Sequence, residues 1–169
     1  MTLADLGATV VKIERPGEGD DTRAWGPPWV VGANGRTSSY FEAVNRNKRS
    51  AALDLNDDGD LAAVHELCRR ADVVVENHRP GSLARFGLDY DGVRRENTDV
   101  VYCSIYGFGS HGTGVALPGY DFVAQAVTGL LSITGLRDGD PLKGRVALGV
   151  VLTGKDAVIW ILAALRHRD

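Results

Sequence analysis

The sequence predicts an α/β fold in which a parallel sheet is flanked by helices. Three β-branched runs, a helical pattern between them, and strands that are apolar without alternation support this. The runs are Ala8 to Ile13 (ATVVKI), Ala71 to Asn77 (ADVVVEN) and Asp99 to Tyr106 (DVVYCSIY), with a weaker fourth at Ser50 to Leu55. A continuous apolar run suits a strand covered on both faces, which is the situation in a parallel sheet. Strand and helix in repeated alternation then imply right-handed crossovers.

The elements follow in order. TLADLG opens the chain as the end of a helix feeding the first retained strand. Arg15 to Ser39, rich in Gly, Pro and Trp, is long for a connection without clear structure, which predicts a functional loop. Leu61, Val64, His65, Leu67 and Cys68 share one face of a helix from about Asp58 to Arg70, with Asp58 or Asp60 as its cap. A second helix is predicted from Tyr120 to Ser132, with Val123, Ala126, Val127, Leu130 and Leu131 inward. A third is predicted from about Thr153 to His167. The opening inside a helix and the close at LRHRD predict a piece of a longer protein.

Totals exclude several functions. The chain has 169 residues, 44% hydrophobic and 24% charged, as expected of one globular domain. Nineteen basic against 22 acidic residues leave −3, which supplies no basic field for nucleic acid. No apolar run approaches the roughly 18–20 residues that span a bilayer, and no signal peptide opens the chain, so the expected setting is cytoplasmic, without a membrane. Cys68 and Cys103 sit in apolar segments and read as reduced core residues.

Two motifs mislead. Gly107, Gly109 and Gly112 match G-x-G-x-x-G after a strand, but Thr113, Gly114 and Pro118 follow where a dinucleotide site needs a helix. Asp54, Asn56, Asp58 and Gly59 open like a calcium loop, yet the twelfth place is His65 and Glu66 comes one residue late. The histidines His65, His78, His111 and His167 have no metal spacing. No metal is expected.

Six phrases, in order and at matching spacing, cover nearly the whole chain: LADLGATVVKIERPGEGDDTR, NRNKRSAALDL, ADVVVENHRPGSLARFGLDY, VVYCSIYGFG, PGYDFVAQAVTGLLSITG and VLTGKDAVIWILAAL. Together they resemble the family III CoA-transferases, which include formyl-CoA and carnitine-CoA transferases and the 2-methylacyl-CoA racemases. The resemblance implies that residues 1–169 are part of that family's large, Rossmann-like, CoA-binding domain. On that resemblance, the family's first strand, linkers and small domain are expected to lie outside these residues. The implied substrates are coenzyme A, acyl-CoA thioesters and small carboxylic acids. The family forms interlocked homodimers, and a chain without the linkers is expected to differ in whatever dimer it makes.

The resemblance also implies site residues. Arg15, ending the first retained strand, matches a CoA arginine. Leu53, Asp54, Leu55 and Asn56 match the adenine-side strand. Asn77, His78 and Arg79 match the turn beside the pantetheine, and Arg85 matches a further CoA arginine in the short helix after it. Strand-end positions suit ligand binding outside the carboxyl edge of a parallel sheet. Tyr120 and Asp121 match the pair near the transferred acyl group. Racemases carry histidine at the place of Tyr120; tyrosine, with a pKa near 10, is a poor base at neutral pH, which favours transferase chemistry. Asp121 is alternatively a cap for its own helix.

The pattern breaks in two places. Where the family has its nucleophilic aspartate, just before the last helix, this chain has Val150. The family carboxylate attacks the thioester to give a mixed anhydride and CoA thiolate; the thiolate then attacks the anhydride, expelling the acid and leaving the enzyme carboxylate as its CoA thioester. Valine supplies no lone pair, and losing a nucleophile commonly costs on the order of 10⁴- to 10⁶-fold in rate. The expectation is a CoA-transferase domain that is weak or inactive by itself. The alternatives are a non-catalytic CoA-binding or assembly protein and a 2-methylacyl-CoA racemase. Trp160 replaces a family glycine, a second departure.

Overall fold

The computed structural model describes residues 1–32 and 35–169, which form two compact units, Met1–Leu67 and Cys68–Asp169. In the first unit, helix α1 (Thr2–Asp5) leads into β1 (Val10–Glu14). The antiparallel pair β2 (Trp29–Gly32) and β3 (Gly35–Ser38) follows, then α2 (Ser39–Asn45) and β4 (Lys48–Ala52). Strands β1 and β4 pair in parallel, with Val10 opposite Lys48 and Glu14 opposite Ala52. Ser38 is fully buried; its hydroxyl accepts from the Phe41 amide and donates to the Trp25 carbonyl, so one residue both starts α2 and ties down the loop before β2.

Helix α3 (Asp58–Arg70) spans the predicted residues. Its cap is Asp57 instead of Asp58 or Asp60: the Asp57 carboxylate accepts from the amides of Gly59 and Asp60 at 2.9 and 3.0 Å. Asp60 turns back to accept from the Asp54 amide at 2.9 Å. Asp54, Asp57 and Asp60 therefore serve backbone amides. Of the predicted inward face, Val64 is buried and Leu67 is 38% exposed.

In the second unit, β5 (Val73–Glu76) is followed by α4 (Tyr90–Glu96) and β6 (Val101–Ser104). Strands β5 and β6 pair in parallel, Val73 with Val101 and Glu76 with Ser104. The Asn97 side-chain amide donates to the carbonyls of Cys68 and Ala71, satisfying groups at a helix end that have no partner within the helix. Val93, 1% exposed, and Leu88 centre a small core, and the Tyr102 hydroxyl donates to the Leu88 carbonyl at 2.6 Å. Cys68 and Cys103 are free and half-buried, and burial pushes both thiols up.

Two helix predictions need correction. The helix expected over Tyr120 to Ser132 is α5 (Asp121–Val127) followed by a separate 3₁₀ turn, Leu130–Ile133. Gly129 stands between them at φ +80°, in the left-handed region that ends helices. Val127 is accordingly 63% exposed, and the residue buried on α5 is Gln125. The last helix, α6 (Leu148–Arg168), starts five residues earlier than predicted. Among the described residues it is the one helix long and apolar enough to cross a membrane by length and composition. Lys155 and Asp156 interrupt it, so its uninterrupted apolar runs stay short of a span, as expected from the sequence. The stretch from Arg15 to Ser39, read as unstructured, contains a 3₁₀ turn (Asp21–Ala24) and the pair β2–β3.

Candidate active site

The first unit places Arg15 directly after β1 and Leu53 directly after β4. The Leu53 amide donates to the Glu14 carbonyl at 3.0 Å, so both leave the same carboxyl edge. Leu53 and Leu55 are half-buried, and Asp54 and Asn56 are exposed. Asp54 accepts from the Asn56 amide, which folds the segment into a turn and holds the Asp54 carboxyl below its ordinary range. Arg15 is 63% exposed and pairs with Asp21 at 2.5 Å and Glu18 at 3.3 Å, both within its own loop.

What holds that loop is Glu14, which motif reading did not single out. Its side chain is 4% exposed and accepts from Arg23 Nε at 2.8 Å and Nη2 at 2.9 Å, from the Ser50 hydroxyl at 2.8 Å and from the Asp20 amide at 2.9 Å. The Arg23 guanidinium first, then Ser50 and the Asp20 amide, hold the Glu14 carboxyl at about 2 against the cost of burial. Asp20 pairs with Lys12, and Arg23 stacks 4.0 Å from the Phe41 ring centre. A glutamate closing an apolar strand run was the available signal.

In the second unit, Asn77, His78 and Arg79 are exposed directly after β5. The Glu76 carboxylate accepts from the His78 amide at 2.8 Å, and the Arg79 carbonyl accepts from Ser82, closing the turn. Arg85 lies in a 3₁₀ turn, Ala84–Phe86, with its guanidinium 4.3 Å from the Phe86 ring centre.

Tyr120 and Asp121 reach the edge of the same parallel pair through a glycine seam. A Cβ on Gly107, which follows β6, would fall 2.3 Å from the Gly119 Cα, so the two backbones touch where no side chain fits. Tyr120 is 72% exposed. No helix begins at GFGSHG; the segment from Gly107 to Gly119 is turns. The last turn of α6 is fixed at the opposite edge, where Arg168 donates to Asp72 at 3.1 Å and to the Asp99 carbonyl at 3.4 Å. A 21-residue helix is about 31 Å long, so its first turn lies toward the carboxyl edge.

Asp121 and position 150 meet there. Asp121 Oδ1 accepts from the Gly149 amide at 2.8 Å and the Val150 amide at 3.3 Å, while Oδ2 accepts from Gln125 Nε2 at 2.5 Å. Gln125 Oε1 in turn accepts from the Gly144 amide at 2.8 Å. Asp121 thus caps α6, a helix 28 residues away, and not its own; Ala147, at the N-cap of α6, has no side chain that can accept. A Cβ on Gly149 would stand 3.0 Å from Asp121 Oδ1, so glycine lets the carboxylate approach. Val150, predicted to precede the helix, is its third residue and is 51% exposed.

Each unit thus carries a parallel strand pair with loop residues at its carboxyl edge, an α/β arrangement. CoA-transferase family III matches residues 1–169, and the chain belongs to that family. It is 48% identical over 167 residues to the succinate–glutarate CoA-transferase of Agrobacterium fabrum, covering 98% of this chain and 42% of that one. It is 46% identical to the Homo sapiens succinyl-CoA:glutarate CoA-transferase, covering 98% of this chain and 37% of that one. A crystal structure of a CaiB/BaiF family protein from Brucella suis superposes with TM-score 0.94 at 44% identity, over 99% of this chain and 44% of that one. The chain thus spans about two fifths of the length of these relatives.

Proposed function

We propose that this chain is part of the large, CoA-binding domain of an acyl-CoA:carboxylate CoA-transferase, with a dicarboxylic acid among its acids. In this reading Arg15 and residues 53–56 of the first unit, and Asn77, His78, Arg79 and Arg85 of the second, contact coenzyme A. Tyr120 and position 150 face the acyl group. The observation that carries the reading is the hydrogen bond between Asp121 and the Val150 amide, which brings the two acyl-side motifs of the family to one point. A carboxylate at position 150 would attack the thioester carbonyl and expel CoA thiolate, forming an anhydride. The thiolate would then attack that anhydride, releasing the acid and leaving CoA on the enzyme carboxylate. With Val150 the first step has no nucleophile, so the chain is expected to bind CoA with little or no exchange.

Val150 equally favours a second reading, a CoA-binding protein without catalysis. Calorimetric titration with CoA and a succinyl-CoA/glutarate exchange assay separate the two, run on the chain and on Val150→Asp. Exchange gained in Val150→Asp supports the transferase. Binding with no exchange in either supports the second reading, and no binding overturns both. The racemase alternative predicts deuterium washout from the α-carbon of a 2-methylacyl-CoA, which Tyr120 is poorly suited to perform.

A further inference from the structure

We propose that Asp121 is a positioning residue for position 150 and is not a reserve nucleophile; this rests on the reading of position 150 as the acyl-accepting place. The first amides of a helix lack partners within the helix and carry its partial positive charge. In α6 the N-cap residue is Ala147 and cannot serve them. Asp121 serves them from outside, with one carboxylate oxygen on the Gly149 and Val150 amides. Its other oxygen accepts from Gln125, whose side chain is 3% exposed and whose carbonyl accepts from Gly144. One oxygen is therefore directed by α6 amides and the other by Gln125 of its own helix, which is itself tied to Gly144. Attack through Oδ1 would require Asp121 to give up both amide bonds and uncap the helix, and attack through Oδ2 would weaken the bond from Gln125.

The same contact has an electrostatic consequence. The carboxylate lies against the backbone nitrogen of residue 150, so any group on that side chain meets a negative charge as well as the helix terminus. The charge of Asp121 offsets the positive end of α6 at this position. An anion there is thus less favoured than the first turn of a helix alone would make it.

The test uses the whole 169-residue chain with a thiol reporter, Val150→Cys, at a half-exposed site where little packing is lost. The pH dependence of iodoacetamide alkylation is read at residue 150 alone by peptide mass spectrometry, and needs no CoA. Asp121→Asn keeps an oxygen that can accept from the amides and removes the charge. It should lower the pKa of the thiol introduced at position 150 and raise alkylation at pH 7 roughly 3- to 30-fold. Amide hydrogen exchange in the otherwise unaltered chain is the second measurement. Asp121→Ala should speed exchange at Gly149 and Val150 by roughly fivefold or more, whereas Asp121→Asn should hold them near the original rate. An unmoved thiol pKa in Asp121→Asn, or amides still protected in Asp121→Ala, overturns the proposal. Failure of CoA binding or exchange leaves both readouts intact, so the two readings fail separately.

Discussion

The loop after β1 and the corner between α5 and α6 solve one problem in two ways. Each fixes a segment at the edge of a strand pair, and each does so with a carboxylate. At the loop, Glu14 is almost fully buried and is met by a guanidinium, a hydroxyl and an amide. At the corner, Asp121 is half-buried and is met by two helix amides and a carboxamide. The first is charge against charge, and its neutral form is strongly disfavoured, with the carboxyl held at about 2. The second is charge against dipoles, which gives direction at a smaller cost if lost. A carboxylate in a motif is therefore not by itself a catalyst; its hydrogen bonds decide whether it is free to react.

Four changes sharpen or break that contrast. Glu14→Ala should have the largest effect, destabilising the chain by about 3 kcal/mol in urea unfolding, since Arg23 and Ser50 lose a buried partner. The same residue sets a pH dependence. Its folded pKa lies below the ordinary 4.5, so the stabilisation is present above pH 4.5 and is lost as pH falls toward 2. Hydrogen exchange of residues 15–24 should accelerate over that window, and no change would remove Glu14 as the loop's anchor. Gly107→Ala comes next, at about 2 kcal/mol, because its Cβ would overlap the Gly119 backbone. Nuclear magnetic resonance shifts at Tyr120 should move with it.

Gln125→Ala should lose about 1–2 kcal/mol by leaving the Gly144 amide without its acceptor and opening a small cavity, again read by urea unfolding. If Gln125→Ala proves costlier than Glu14→Ala, the contrast drawn between the two regions is reversed. Arg15→Ala should be smallest for stability, within about 0.5 kcal/mol, because its ion pairs are exposed. On the proposed contact with CoA, calorimetry with CoA should show binding weakened severalfold or more.

Much of this molecule was legible in the sequence. The β-branched runs fell on β1, β5 and β6, the run at Ser50 overlapped β4, and the bounds of the helix from Asp58 to Arg70, though not its cap, needed no change. Local chemistry carried these, since periodicity and branching act over a few residues. The site was half legible: the phrases put Tyr120, Asp121 and Val150 into one family pattern, but not into their roles. Gln125 was missed because a polar residue on a predicted helix face gives no sign of burial. Its place four residues after Asp121, a spacing at which helix side chains meet, was the only local hint.

By itself, then, the sequence determined the order of β1, β4, β5 and β6 with α3 between them, the parallel class of their two pairs, and the family. Tertiary structure alone decided where α6 begins and what Asp121 does. The physical reason is range. A helix start is readable when its cap is the neighbouring residue, as at Ser38 for α2. Ala147 cannot cap, and the acceptor for Gly149 and Val150 comes from 28 residues away, where no local pattern records it.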